Sequence, residues 1–147
     1  MKRNLNSLMT VVILVAAFAV SAQAQTTGGA QKELANIPFA FNVGKTTLPA
    51  GKYTVTVVNP GSDRKVLQIR SSDGRSSAMT QTVGVIGKAS DKAKLVFHRY
   101  GDQYFFAQAQ MAGETVSLAA VKSSAERAQE HAIAKVGKRT VVVILTE

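Results

Sequence analysis

The chain predicts a mainly β domain, a small antiparallel β-barrel or β-sandwich of seven to eight strands with one α-helix in the C-terminal region. Three observations point there. From Ile37 onward apolar and polar residues alternate with period two, the pattern of half-buried strands. Clusters of Gly, Pro, Asn, Asp and Ser interrupt that alternation about every 8–12 residues in the first part, as they do in all-β sandwiches and barrels. Only near Ser123 does the period become helical.

The elements follow in order. Ile37, Phe39, Phe41 and Val43 alternate with Pro38, Ala40 and Asn42, which predicts a strand with one buried face. Pro38 has no N–H to give a ladder, so this segment belongs at a sheet edge or a strand start. Leu48-Pro49-Ala50-Gly51 turns the chain, and Lys52 to Val58 alternates again with Tyr53, Val55 and Val57 on one face. Asn59 to Asp63 is the next turn, Val66 to Arg70 a short strand, and Ser71 to Arg75 a turn whose Asp73-Gly74 pair favours a tight hairpin. Ser77 to Val85 reads as a weaker strand, and Gly87 to Ala93 as a loop carrying Lys and Asp.

Lys94–Tyr100 and Gln103–Met111 form a hairpin around Gly101-Asp102, a Gly-first loop that suits a type II′ turn. This tip dictates the register. Tyr100 faces Gln103, Arg99 faces Tyr104, His98 faces Phe105 and Phe97 faces Phe106. Neither side of the ribbon is purely polar, so the hairpin should be covered on both faces. Ser123-Ser124-Ala125-Glu126 is a capping box, with Ser123 as N-cap and Glu126 reaching back to it. The helix should run to about Val136, with Gly137 at the C-cap among Lys135, Lys138 and Arg139, where cations suit the negative end of the dipole. Val141 to Leu145 then reads as a buried closing strand.

Ahead of this domain stands an address. Met1-Lys2-Arg3 is basic, Leu8 to Val20 is an uncharged and mostly apolar run, and Ala22-Gln23-Ala24 offers small residues at signal-peptidase spacing. The thirteen residues of the apolar run span about 20 Å as helix, against a hydrocarbon core of about 30 Å, so they are too short for a membrane anchor. The expectation is a secretory signal peptide over 1–24, with cleavage between Ala24 and Gln25 under the direction of Ala22 and Ala24. Residues 25–36 then form a flexible leader, and residues 37–147 a single β-rich domain. No later stretch has the length and apolarity of a membrane helix, so the mature form should have no transmembrane span.

Composition narrows the chemistry. Eighteen Lys+Arg against nine Asp+Glu give the 147-residue chain a charge of +9. Removing Lys2 and Arg3 with the signal peptide leaves +7. There is no cysteine, which excludes a disulfide framework, a zinc ribbon and a thiol site. An exported domain without disulfides must be held together by its packed core.

The segments IPFAFNVGKTTLPAGKYTV, VLQIRSSDGRSSA, KLVFHRYGDQYFFAQ and SSAERAQE resemble a group of small secreted acidobacterial proteins of unknown function. The resemblance covers roughly residues 37 to 130 and is most specific over Phe97 to Phe105. Such proteins usually end in a charged helix after a Leu-Pro-x-Ser-like turn. Here Leu118 to Ser123 lacks the proline, and a strand is added after Gly137. The resemblance implies export and a β fold, and it assigns no activity to any residue.

The residues offer no catalytic constellation. His98 and His131 are the two histidines, and neither H-E-x-x-H nor G-x-S-x-G occurs. Thr82 to Ala89 contains a Gly-Lys pair but lacks the first Gly and the final Ser/Thr of a phosphate loop. Asp63, Asp73, Asp91 and Asp102 fall in separate turns, so no metal site is expected. The polar-aromatic cluster is His98, Arg99, Tyr100 and Tyr104. It reads either as a ligand contact or as a cross-strand cation–π pair of Arg99 with Tyr104, with His98 covering Phe105.

The Lys and Arg residues are dispersed, and an exported protein is a poor candidate for nucleic acid. The charge could serve solubility. It could also hold an anionic envelope polymer, such as lipopolysaccharide, a teichoic-type polymer or an acidic polysaccharide, or another envelope protein. The expectation is therefore a protein that is not an enzyme and needs no cofactor, located in the periplasm or outside the cell, acting as a binding or structural module of the cell envelope. The alternatives are a barrel that carries an apolar ligand inside, and an enzyme of unrecognised type.

Overall fold

In the computed structural model, residues 32–133 and 137–146 are described. Among these residues ten strands and one helix follow one another: β1 (Lys32–Ile37), β2 (Phe41–Val43), β3 (Thr46–Leu48), β4 (Gly51–Val57), β5 (Val66–Ser71), β6 (Ser77–Ile86), β7 (Lys94–Tyr100), β8 (Gln103–Gln110), β9 (Val116–Ala120), α1 (Ser124–Ala132) and β10 (Arg139–Thr146). The expected signal peptide over 1–24, the expected cleavage residues Ala22, Ala24 and Gln25, and the expected extension of the helix to Val136 fall outside the described residues.

Eight strands close into an antiparallel barrel in the order β1-β4-β5-β6-β9-β8-β7-β10, with β10 pairing back to β1. Of the two expected architectures it is therefore the barrel, which leaves no open sheet edge in the ring. β10 is the closing strand: Val141 meets Phe97 on one side, and Leu145 meets Ala35 on the other. Its Val142 and Ile144 are half exposed, so it is buried on its inner face only.

The alternation from Ile37 to Val43 does not make one strand. Residues 38–40 interrupt it at Pro38, and only Phe41–Val43 resumes, paired antiparallel to β3 and by one parallel pair, Asn42 with Phe105, to β8. This short hairpin lies across one end of the barrel, where Phe41, Val43 and Leu48 are buried in the core. β1 begins at Lys32, inside the stretch that composition marks as leader, and it pairs with β4 along its whole length. Glu33, Ala35 and Ile37 are its buried residues, while Leu34 is exposed.

Interlocking aromatic rings make up the middle of the core. Phe97 meets Phe39, Phe41 and Phe106 edge-on at centroid distances of 5.2, 5.3 and 6.0 Å, and Phe41 meets Tyr53 at 5.2 Å. Edge-to-face contact suits the ring quadrupoles and adds to the stabilisation from burial itself. The Tyr53 hydroxyl offsets part of its desolvation by donating to the Pro49 carbonyl at 2.5 Å.

The β7–β8 register is the one the tip dictates, from Tyr100↔Gln103 to Phe97↔Phe106. Gly101 has φ +59° while Asp102, like every non-Gly residue among those described, does not have positive φ, as a Gly-first type II′ loop requires. Beyond Phe97 the register slips, so that Val96 faces Gln108 and Ala107 is the extra residue of a bulge. The Asp73-Gly74 hairpin is wider than a two-residue turn. Ser71 N–H donates to the Ser76 carbonyl, Gly74 N–H to the Ser71 carbonyl, and the Asp73 carboxylate accepts from Ser71 Oγ at 2.5 Å and Arg75 N–H at 3.0 Å.

Candidate functional site

The four sequence candidates lie on the β7–β8 hairpin, but strand alternation divides them. Successive side chains point to opposite faces. Arg99 and Tyr104 turn toward the barrel interior at the end crossed by the β2–β3 hairpin. The Arg99 guanidinium carbon sits 5.4 Å from the Tyr104 ring centroid, within cation–π range. Phe39 stacks on the same tyrosine at 3.9 Å with ring planes 12° apart. Arg99 Nε donates to the Gly101 carbonyl at 2.7 Å, and Nη2 lies 3.5 Å from the Asp102 carboxylate. Arg99, Gly101, Asp102, Gly137 and Arg139 line a cleft of about 220 Å³ at this rim.

His98 and Tyr100 face outward, where α1 covers them. The partner that sequence reasoning missed is Glu126. Ser123 Oγ does accept from Glu126 N–H at 3.1 Å, so the forward half of the capping box forms. The Glu126 side chain does not reach back to the N-cap. It turns down onto the barrel, where Oε1 lies 2.7 Å from His98 Nδ1 and accepts from the Tyr100 hydroxyl at 3.2 Å. Glu126 and Tyr100 are only 3% and 2% exposed, while His98 keeps about a fifth of its side chain in contact with solvent. Burial pushes the Tyr100 phenol well above the usual tyrosine range. The negative charge of Glu126, its hydrogen bond and the more distant Glu130 push the same way.

This cluster covers the turn end of the hairpin's outer face, where Phe105 is buried edge-on to Tyr100. The hairpin is thus covered on both faces over that half. Chemically, one carboxylate oxygen is saturated by two donors, and the side chains so joined hold the helix to the barrel. The signal for Glu126 in the sequence is its place in the first helical turn, and that signal points equally well to the N-cap.

Among the described residues no group of three or more His, Cys, Asp and Glu could hold a metal ion, and no helix is long and apolar enough to cross a membrane. Thr82 to Ile86 of the phosphate-loop lookalike belong to β6, which pairs with β9. Comparison with family models, with curated proteins and with solved structures yields no match. The class the geometry defines is a closed eight-stranded antiparallel barrel with one helix pinned to its outer wall.

Proposed function

We propose that this protein is a non-catalytic binding or structural module of the cell envelope, exported to the periplasm or beyond, that holds an anionic envelope polymer on the outside of its barrel. The observation that carries this reading is the interior. Phe41, Tyr53, Phe97 and Phe106 occupy the middle of the barrel in mutual edge contact, which disfavours an internal apolar cargo and leaves the outer wall for recognition. The polar groups best suited to acid–base work, His98 and Glu126, are bonded to each other beneath the helix. The excess of Lys and Arg then supplies a surface field that attracts polyanions and weakens with salt.

The test is retention on isolated cell envelope at low and at high ionic strength. Retention at low salt that is lost at high salt is the expected result, and retention insensitive to salt counts against a charge-driven partner. Uptake of an apolar fluorescent ligand by the purified chain would favour the carrier reading instead.

A further inference from the structure

We infer that the outer face of β1, β4 and β5 is a binding groove for an acidic polysaccharide, an assignment that rests on the envelope-binding reading and gives it a site. The three strands are adjacent in the barrel, and their register builds a grid of outward side chains. Lys32, Thr56 and Gln68 form one row across the strands, and Thr54 with Arg70 belongs to the next. The groove they line, about 550 Å³, ends against the β5–β6 turn at Ser71 to Gly74.

The chemistry of the grid fits one ligand class. Two threonine hydroxyls and an amide can each donate and accept, as a ligand rich in hydroxyls requires. Lys32 and Arg70 stand at opposite corners. Strand spacing and rise put their backbones about 12 Å apart, far enough to meet two separate carboxylates along a chain of sugar rings. Four acids among the described residues are engaged away from these two cations: Asp73 with Arg75, Glu126 with His98, Asp102 with Arg99 and Glu130 with Lys122. Neither Lys32 nor Arg70 takes part in these pairs. Asp73 borders the groove, but its carboxylate accepts from Ser71 and Arg75 in its own turn.

Gly74 of the β5–β6 turn lies beside Arg70. A Cβ on Gly74, which has φ +74°, would lie 3.3 Å from Arg70 Nη2, so the glycine lets the turn rest against the guanidinium. The planar guanidinium matches a carboxylate with two parallel N–H donors. The hydroxyl-and-amide floor between the cations favours a polysaccharide over a phosphate polymer, which needs charge alone.

The experiment measures binding of the chain, expressed from its full sequence, to polygalacturonate, polyphosphate and neutral dextran. Polygalacturonate should bind most tightly. The Lys32→Gln/Arg70→Gln double variant should weaken it by roughly tenfold or more, as expected for the loss of two charge-assisted contacts. Lys45→Gln/Lys138→Gln removes the same charge from exposed residues outside the groove and should change binding by less than about twofold. Thr54→Val/Thr56→Val keeps the β-branched shape and the net charge, and should weaken polygalacturonate by about threefold while sparing polyphosphate. Circular dichroism checks that each variant is folded.

Equal losses from the two charge variants would overturn the site, as would dextran or polyphosphate binding as tightly as polygalacturonate. If envelope retention survives Lys32→Gln/Arg70→Gln, the groove assignment fails and the envelope reading stands. If the unmodified chain is not retained at all, the envelope reading itself fails.

Discussion

Replacing Glu126 by alanine should loosen α1 from the barrel. A helix of nine residues is too short to persist alone in water, since isolated helices of fewer than about 12–15 residues are marginal. Its docking therefore depends on contacts, and Glu126 is the one residue of α1 that is buried. The substitution removes the acceptor for His98 Nδ1 at 2.7 Å and for the Tyr100 hydroxyl at 3.2 Å. A hydrogen bond to a charged group contributes about 1.5–3 kcal/mol, and the almost wholly buried Tyr100 hydroxyl is left without its acceptor. His98, with a fifth of its side chain exposed, can recover part of its loss from water. The net destabilisation should be about 3 kcal/mol, within the range for breaking a buried pair. In a domain of this size that lowers the Tm by about 12 °C.

Glu126→Gln keeps an acceptor oxygen and loses only the charge, so it should cost about half as much. Denaturant unfolding gives the global figure, and hydrogen exchange of the amides of residues 124–132 shows whether the helix opens before the barrel does. Combining Glu126→Ala with Tyr100→Phe should give a loss smaller than the sum of the two by about 1 kcal/mol or more, because the groups share one bond. A loss below about 1 kcal/mol in Glu126→Ala, with helix amides exchanging as in the unmodified chain, would refute the view that this carboxylate pins the helix.

The other predictions concern the core, the turn and the titration of Tyr100. Phe97→Ala removes the ring that touches Phe39, Phe41 and Phe106, and should destabilise by about 3–5 kcal/mol in urea unfolding. Gly101→Ala meets only an ordinary 3.6 Å contact with Ile133, so its loss should be the backbone penalty at φ +59°, about 1–2 kcal/mol in the same assay. Because the Tyr100 phenol titrates above its unfolded value of 10.0, the native state keeps a proton that the unfolded chain releases. That contribution is complete below pH 10 and is lost as the pH rises toward the folded-state value. The urea midpoint should therefore fall above pH 10, and less steeply in Tyr100→Phe.

Legibility in the sequence followed the simplicity of the local pattern. The β7–β8 register could be read because a two-residue Gly-first loop leaves one pairing, and the core side chains of Phe41, Val55, Phe97 and Phe106 followed from alternation. β1 was hidden because its polarity is inverted at one step: Glu33 is turned inward and Leu34 outward, so Lys32–Ile37 reads as loose polar chain. β9, with Val116 exposed and Ser117 buried, lacks a clean alternation for a similar reason; Ser117 Oγ is buried because it donates to the Val85 carbonyl and accepts from Gln108. The break after Ile37 was written in Pro38, but a run of four alternating apolar residues outweighed it.

Of the candidate site, the division of His98 and Tyr100 from Arg99 and Tyr104 needs only the period of a strand. The partner of His98 does not follow from any local rule, since Glu126 lies 28 residues further on. By itself, then, the sequence determined what depends on neighbours along the chain: where strands turn, which faces are apolar, how one hairpin pairs and where the helix starts. The tertiary structure alone decided that the strands close into a barrel, that Lys32 and Arg70 share one groove, and that Glu126 turns toward the barrel instead of its own N-cap. These are contests between distant groups, settled by the burial of the whole core, and no short window of residues contains both contestants.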